Sequence, residues 1–323
     1  MSHVVVDVLH TADDADKALR RDVRAGLTST PKWLPPKWFY DARGSELFED
    51  ITRLEDYYPT RAEREILHRR APDIAAHTGA HTLVELGSGS SAKTRLLLDA
   101  LAAGGTLRQF VPLDVSETAL RDAVAAIARD YPGTRVHGVV GDFTEHLGRT
   151  PGQTPRLVAF LGGTIGNLFP AERATFFGEV RDALRPGEWL LLGTDLVKDP
   201  AVLVRAYDDR QGVTADFNRN VLSVLNRELG ADFPIDDFDH RAIWDAAQEW
   251  IEMRLRARRP LTVTVDDLDL RVRLEEGEEI RTEISAKFRR EGVEAELTAA
   301  GFELAHWWTD DGRRFALSLA HAV

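Results

Sequence analysis

Leu-Val-Glu-Leu-Gly-Ser-Gly-Ser-Ser-Ala-Lys, residues 83–93, is the stretch of this 323-residue chain that decides its fold. An apolar run ends in Glu85, turns through Gly87 and Gly89, and continues with the helical spacing of Leu96, Leu97, Ala100 and Leu101. This order predicts a β-strand, a glycine turn and a helix. The glycines let a ligand approach the backbone closely, and a helix N-terminus presents unpaired N–H groups. The stretch is therefore typical of the opening of a nucleotide-binding βαβ unit.

A second apolar run ends in another acid. Val111-Pro112-Leu113 leads into Asp114, 25 residues after Gly89. A carboxylate at the tip of the second strand of such a unit is placed to accept hydrogen bonds from ribose hydroxyls. We therefore expect the chain to bind a nucleoside-bearing cofactor.

The glycine loop alone leaves the cofactor ambiguous, because Gly87-x-Gly89-x-x-Ala92 also fits the dinucleotide fingerprint. Two acids favour S-adenosylmethionine over NAD. Glu85 would repel a pyrophosphate but suits a cofactor that carries an ammonium and a sulfonium group. Gly141-Asp142-Phe143 closes a third apolar run with a carboxylate and an aromatic face, which suit an adenine.

The order of the remaining segments predicts the architecture. Apolar runs recur at 81–86, 108–113, 135–140, 156–161 and 188–193, with helical segments at 116–131 and 170–184 between them. The C-terminus predicts a helix at 293–300 and strands at 302–308 and 315–323. A doubly wound parallel sheet closed by a helix and a β-hairpin is typical of class I methyltransferases and unusual for dehydrogenases. We therefore predict an α/β class I methyltransferase fold with a Rossmann-like, seven-stranded sheet.

Two blocks interrupt this pattern. Residues 1–60 contain a helical segment at 13–27 and an aromatic-rich stretch, and residues 197–286 contain a helical segment at 213–229 followed by alternating segments at 250–257, 261–265, 268–274 and 279–288. The turn Glu275-Glu276-Gly277-Glu278 predicts a hairpin of the last two segments. We assign residues 61–196 and 287–323 to the methyltransferase domain. Residues 1–60 and 197–286 form the predicted accessory α+β substrate-binding domain, which should cap the carboxyl edge of the sheet.

Composition narrows the function further. A formal charge of −12 argues against non-specific nucleic-acid binding and favours a small-molecule substrate. The chain has no cysteine, and its ten histidines show no metal-binding spacing, so we expect no metal. No signal peptide and no membrane-length apolar run is visible. We therefore expect a cytoplasmic protein that binds neither nucleic acid nor membrane. We also expect a monomer.

Several separated motifs carry a family resemblance. They are Pro35–Asp41, Gly44-Ser45-x-Leu47-Phe48, Tyr57–Arg61, Glu85–Gly89, Gly162–Asn167, Gly193–Asp195 and Thr282-Glu283-Ile284-Ser285-x-Lys287-Phe288. In these motifs the chain closely resembles the histidine-specific Nα-methyltransferases of ergothioneine biosynthesis, over essentially its whole length. The resemblance implies S-adenosylmethionine-dependent trimethylation of the α-amino group of L-histidine, which gives hercynine.

The resemblance also implies the residues of the site. The cofactor is expected at Gly87, Lys93, Asp114, Asp142 and Phe143. Histidine is expected at Tyr57, Gly162, Asn167, Tyr207, Glu283 and Ser285, with Tyr57 and Asn167 as the catalytic residues. Methylation of another amino acid or amine is the nearest alternative, and an NAD(P)-dependent dehydrogenase or a catalytically silent binding module are the more distant ones.

Overall fold

The computed structural model describes residues 4–89, 91 and 93–323, apart from the side chain of Thr144, so Ala92 of the glycine fingerprint lies outside the described residues. The chain divides into two compact units. Unit 1 consists of Pro59–Val197 and Phe288–Val323 together with the N-terminal residues up to Thr11. Unit 2 consists of Ala12–Tyr58 and Lys198–Lys287.

The secondary structure follows the chain in an α/β order. The strands are β1 (Val4–Val8), β2 (Lys32–Trp33), β3 (Thr82–Leu86), β4 (Gln109–Asp114), β5 (Arg135–Val140), β6 (Arg156–Phe160), β7 (Trp189–Asp195), β8 (Phe238–Asp245), β9 (Trp250–Ala257), β10 (Leu261–Val265), β11 (Leu270–Leu274), β12 (Glu279–Ala286), β13 (Phe302–Thr309) and β14 (Phe315–Ala322). The helices are α1 (Ala12–Thr28), α2 (Ala42–Arg53), α3 (Pro59–Thr78), α4 (Arg95–Ala103), α5 (Glu117–Asp130), α6 (Phe143–His146), α7 (Pro170–Ala183), α8 (Pro200–Tyr207), α9 (Val213–Leu229) and α10 (Arg290–Ala299). Single 3-10 turns occur at Pro36–Phe39, Leu147–Arg149, Thr164–Asn167, Ile235–Asp237 and Asp266–Leu268.

Unit 1 is built on one mixed sheet with the strand order β1-β5-β4-β3-β6-β7-β14-β13. The first six strands in this order (β1, β5, β4, β3, β6 and β7) are parallel to one another. Strands β14 and β13 close the sheet in antiparallel fashion. The predicted doubly wound fold is therefore confirmed. The chain leaves β3 in one direction to β4 and returns on its other side as β6, so the carboxyl ends of β3 and β6 flank the topological switch point, where such sheets bind ligands.

The sheet has eight strands, so the expectation of seven was wrong by one. The additional strand is β1, which pairs in parallel with β5 from Val4↔Val136 to Val8↔Val140. It lies at the edge of the sheet and its valines are largely exposed, so it shows no buried apolar run of the kind that reveals the central strands. The N-terminal residues up to Thr11 therefore belong to unit 1, so the prediction that all of residues 1–60 belong to the accessory domain is wrong for this segment.

The central strands of unit 1 form because their side chains are buried on both faces. All five residues of β3 are buried, as expected for a parallel strand covered by helices on each side. Helix α5 begins where Ser116 caps it by accepting a hydrogen bond from the Ala119 N–H at 3.4 Å. The predicted bounds of this helix and of the parallel strands agree with the structure to within a few residues.

Unit 2 has its own core and a four-stranded sheet in the order β2-β12-β9-β8, with β10 and β11 as a separate antiparallel pair. The predicted hairpin about Glu275–Glu278 was wrong. Strand β11 pairs with β10, whereas β12 pairs with β9, so the turn passes the chain from one sheet to the other. The alternation of buried residues places a strand but not its neighbour, because pairing depends on which apolar faces meet.

Two further observations concern the described part of the chain. Each helix there is too short or too polar to serve as a membrane-spanning segment. No group of three or more histidine, cysteine or acidic side chains with the geometry of a metal site occurs among those residues.

Candidate active site

The glycine loop follows β3 at the switch point of unit 1. Gly87 and Gly89 have φ angles of +67° and +48°, in the left-handed region that favours glycine. The Gly87 N–H donates to the Leu113 carbonyl at 2.9 Å, which ties the loop to the end of β4. Apart from each glycine and its two chain neighbours, no atom of the described residues lies within 4 Å of the position that a Cβ would take on Gly87 or Gly89. A ligand can therefore approach the backbone here, as a nucleoside-bearing cofactor requires.

Glu85 organises this loop from beneath. Its buried carboxylate accepts hydrogen bonds from the hydroxyls of Ser88 at 3.2 Å and Ser91 at 2.9 Å, and a further one from Thr94. Burial raises the pKa of Glu85 to about 7, although the three hydroxyls and nearby Lys93 act to lower it. Glu85 thus fixes the conformation of the glycine loop through these three hydroxyls.

Asp114 ends β4 beside the loop. Its two carboxylate oxygens accept the N–H of Gly89 at 2.8 Å and the N–H of Ser116 at 2.9 Å. Burial raises the pKa of Asp114, and these backbone N–H groups oppose the rise. The backbone thus fixes the orientation of the carboxylate, as is needed to accept hydrogen bonds from a ribose.

Asp142 and Phe143 follow β5, the next strand outward. The Gly141 N–H donates to the Asp114 carbonyl at 2.9 Å, so the ends of β4 and β5 are joined. Phe143 opens the short helix α6, and its ring lies 5.0 Å from that of Phe160 and 5.8 Å from that of Phe176. The half-buried Phe143 therefore presents a fixed aromatic face beside the acid, which suits an adenine ring.

Lys93 and Gly162 meet through a residue that the sequence analysis did not select. The carboxylate of Glu63, on α3, is fully buried and forms an ion pair with the Lys93 ammonium group. Its other oxygen accepts the Gly162 N–H at 2.7 Å. Gly162 follows β6 with a φ of +82°, so Glu63 links the two sides of the switch point.

Asn167 closes the single 3-10 turn that follows Gly162. This turn is tightened by the Gly166 N–H, which donates to the Gly163 carbonyl at 2.9 Å. The half-buried Asn167 thus lies in unit 1, on the segment that leaves the carboxyl end of β6. Asn167 therefore lies at the edge of the sheet where folds of this kind bind ligands.

The other predicted substrate residues lie in unit 2. The rings of Tyr57 and Tyr207 are 6.3 Å apart in an edge-to-face arrangement. The hydroxyl oxygens of Tyr207 and Ser285 are 2.7 Å apart. Glu283 and Ser285 are two residues apart on β12, so their side chains leave the strand on the same face. Tyr57, Tyr207 and Ser285, which are far apart in sequence, are therefore brought together in unit 2.

Hydrogen bonds through His240 fix the backbone of Tyr207. The Nε2 atom of His240 donates to the Tyr207 carbonyl at 2.8 Å, and the Asn218 amide donates to Nδ1 of the same ring at 2.8 Å. Burial lowers the pKa of His240, which agrees with a neutral ring in this tautomer. The end of α8 is thereby fixed against β8.

Lys287 belongs to one of the family motifs but is the second residue that the predicted site leaves out. Its buried ammonium group donates to the Tyr207 hydroxyl at 2.9 Å and to the Ser285 hydroxyl at 2.8 Å. The positions of Lys287 and Glu63 in the sequence pattern could have indicated both residues. Lys287 continues the alternation of Glu283 and Ser285, and Glu63 stands one turn before Ile66 and Leu67 on the buried face of α3. Burying a charged side chain costs free energy unless partners compensate it, so a charged residue in an inward-facing position indicates a specific interaction.

The parallel sheet, its glycine loop and the terminal antiparallel pair define a class I methyltransferase fold. Residues 19–322 match the family described as "Histidine-specific methyltransferase, SAM-dependent". The chain belongs to that family.

Curated relatives agree with this membership. The chain is 60% identical over 309 residues to the histidine N-alpha-methyltransferase of Mycolicibacterium smegmatis, covering 96% of each chain. It is 58% identical over 312 residues to the protein of the same name from Mycobacterium tuberculosis, covering 96% of this chain and 97% of that one. It is also 32% identical to ergothioneine biosynthesis protein 1 of Neurospora crassa, covering 90% of this chain and 33% of that one.

Family membership decides between the cofactors that the glycine loop left open. The protein is an S-adenosylmethionine-dependent N-methyltransferase, so the prediction of this cofactor is confirmed and the dehydrogenase alternative was wrong. The residues present suit this cofactor, because the open glycine loop and the fixed Asp114 carboxylate provide the contacts that a nucleoside needs.

Proposed function

We propose that this enzyme trimethylates the α-amino group of L-histidine with S-adenosylmethionine, giving hercynine, a step of ergothioneine biosynthesis. The observation that carries the proposal is the contact between Tyr207 and Ser285, whose hydroxyl oxygens lie 2.7 Å apart although the residues are 78 positions apart in sequence. This contact lies beside Tyr57 and on the strand of Glu283. Hydroxyls, a carboxylate and an aromatic ring together match the polar groups of histidine.

Each group of histidine finds a suitable partner in unit 2. An imidazole N–H is a donor, and Glu283 supplies an acceptor. The carboxylate is an acceptor, and the Tyr207 hydroxyl supplies a donor. The amine gains a permanent positive charge as it is methylated, and the Tyr57 ring offers a face that attracts a cation. Gly162 and Asn167 stay predicted substrate contacts from unit 1.

The cofactor residues proposed for unit 1 are Gly87, Lys93, Asp114, Asp142 and Phe143. When bound, S-adenosylmethionine supplies an electrophilic methyl group on a sulfonium. The side chains of this protein then contribute by position rather than by acid–base chemistry, because an unprotonated amine needs only to be held in line with the methyl group. Tyr57 carries no fixed charge that would hinder reorientation of the amine between successive methylations.

Mass spectrometry tests the reaction directly. Histidine incubated with the enzyme and S-adenosylmethionine should yield a product heavier by three methyl groups. A panel of other amino acids and amines, tested in the same way, separates histidine methylation from methylation of another amine. Bound cofactor with no methylated product from any of them would support the silent binding module instead.

Glu283 provides the test of substrate recognition. Glu283→Ala should raise the KM for histidine by about 10- to 100-fold, the effect of losing a hydrogen bond to a charged group, and leave cofactor affinity nearly unchanged. Glu276→Ala is the matched control, because Glu276 is an exposed acid in the turn before the same strand. Equal losses of histidine and cofactor affinity in Glu283→Ala would show a structural role instead.

The finer statements about assembly and location are also proposals. The enzyme is proposed to act as a monomer in the cytoplasm, without binding nucleic acid or membranes. Its net charge of −12 and the small substrate of its family support these proposals. Light scattering after gel filtration should give the mass of one chain, and cell fractionation should recover the activity with the soluble proteins.

A further inference from the structure

Unit 2 contains a buried triangle of polar atoms, formed by Lys287, Tyr207 and Ser285. The Lys287 Nζ lies 2.9 Å from the Tyr207 hydroxyl and 2.8 Å from the Ser285 hydroxyl, and the two hydroxyl oxygens lie 2.7 Å apart. The three residues are no more than 9% exposed. The ammonium group also lies 4.6 Å from the centre of the Tyr207 ring. Burying a lysine ammonium group costs free energy unless the group is hydrogen-bonded, and here the two hydroxyls and the Tyr207 ring stabilise its charge.

The direction of the hydrogen bonds follows from the chemistry of the three groups. An ammonium group only donates, so both hydroxyl oxygens act as acceptors toward Lys287. One hydroxyl proton is used in the bond between Tyr207 and Ser285. The other hydroxyl proton is then directed to an acceptor outside the triangle, and donation from the ammonium group strengthens it as a donor. The triangle is therefore polarised to bind an anion or another acceptor.

We propose that Lys287 is a positioning residue that makes the enzyme select substrates with a carboxylate, because it polarises the Tyr207–Ser285 pair so that Tyr207 donates to that carboxylate. Ser285 donates its proton to Tyr207 in this arrangement, so the Tyr207 hydroxyl keeps its own proton for the carboxylate. The inference rests on the proposed function, which assigns Tyr207 to the substrate carboxylate. It adds a selection against amines that share the ring and amine of histidine but have no carboxylate.

The test compares histidine with histamine, which has the same ring and amine but no carboxylate. Binding of each is measured by calorimetry in the presence of S-adenosylhomocysteine, for the unaltered enzyme and for Lys287→Met. Histidine affinity should fall by about 10- to 100-fold in the variant, as for loss of a charge-assisted hydrogen bond, while histamine affinity changes little. The ratio of histidine affinity to histamine affinity should therefore fall by about the same factor. In steady-state kinetics, the KM for histidine should change more than kcat.

The chain offers a matched control. Lys198 donates to the Tyr58 hydroxyl at 2.7 Å and lies 4.6 Å from the centre of that ring, so it forms a similar lysine–tyrosine pair in the same unit. Lys198→Met should leave the histidine-to-histamine ratio unchanged. A loss of this ratio in both variants would show that removing any such lysine disturbs unit 2, and would overturn the proposal.

One charged and one neutral replacement keep the test decisive if Lys287→Met does not fold. Lys287→Arg retains the charge and should retain most of the discrimination, whereas Lys287→Gln can still donate but should lose it. Equal discrimination in these two variants, or equal loss of histidine and histamine affinity, would overturn the proposal. Failure of the proposed function is recognised separately, because the unaltered enzyme would then not methylate histidine at all.

Discussion

Replacing Glu85 by glutamine tests whether the glycine loop is held by a carboxylate that titrates near neutral pH. Burial raises the pKa of Glu85 from an ordinary value of 4.5 to about 7. Because the folded-state pKa is the higher one, the stability gained on protonation is fully present below 4.5 and is lost as the pH rises through about 7. Glutamine has nearly the same shape and does not titrate.

The size of the effect follows from proton linkage. With these two pKa values, protonation of Glu85 stabilises the folded state by about 2.6 kcal/mol at pH 5 and by roughly 0.1 kcal/mol at pH 8. The free energy of unfolding of the unaltered protein should thus fall by about 2.5 kcal/mol relative to that of Glu85→Gln between those two pH values. Other titrating groups cancel in the difference between the two proteins.

Guanidinium unfolding followed by circular dichroism, at four pH values between 5 and 8, measures this difference. Glu188→Gln is the control, because Glu188 is another buried glutamate of unit 1. Burial alone would raise the pKa of Glu188, but hydrogen bonds from Arg156 and backbone N–H groups outweigh it and lower the pKa. The stability that Glu188 contributes is lost only as the pH falls below its ordinary value of 4.5, so its difference should stay nearly constant in this range. A difference for Glu85→Gln that is equally flat would refute the reasoning.

Three further substitutions in unit 1 probe the glycine loop and its supports. Gly87→Ala should destabilise the protein by about 1–2 kcal/mol and weaken cofactor binding, because the φ angle of Gly87 is +67°. The control Gly178→Ala, inside α7, should stabilise the protein by about 0.5 kcal/mol. Thermal unfolding measures the stability of both variants. Asp114→Asn keeps one of the two acceptor oxygens that hold the backbone, so calorimetry should show cofactor affinity lowered by about 10-fold with the KM for histidine unchanged. Glu63→Gln breaks a buried ion pair and should cost about 2 kcal/mol in denaturant unfolding, whereas Glu65→Gln, at a more exposed position of the same helix, should cost much less. Unchanged cofactor affinity in Asp114→Asn or unchanged stability in Glu63→Gln would contradict the role given to that residue.

The sequence allowed the parallel sheet to be predicted because its central strands are buried on both faces. Runs such as 157–161 stand out as continuous apolar segments, and the glycines that follow require backbone angles that other residues avoid. Strand β1 escaped prediction since its side chains are largely exposed at the sheet edge. The pairing of β12 with β9 rather than with β11 escaped as well, because local alternation does not specify the neighbouring strand.

Local pattern by itself determined where this chain turns and which acids end its strands, so the glycine loop, Asp114 and the fold class follow from the order of residues. Only the tertiary structure decided which polar groups meet. Glu63 on α3 reaches Lys93 and Gly162, which lie in two separate loops, and Lys287 reaches Tyr207 across 80 positions of sequence. Backbone preferences act between neighbours in sequence, whereas a buried charge must find its partners through the packing of distant elements.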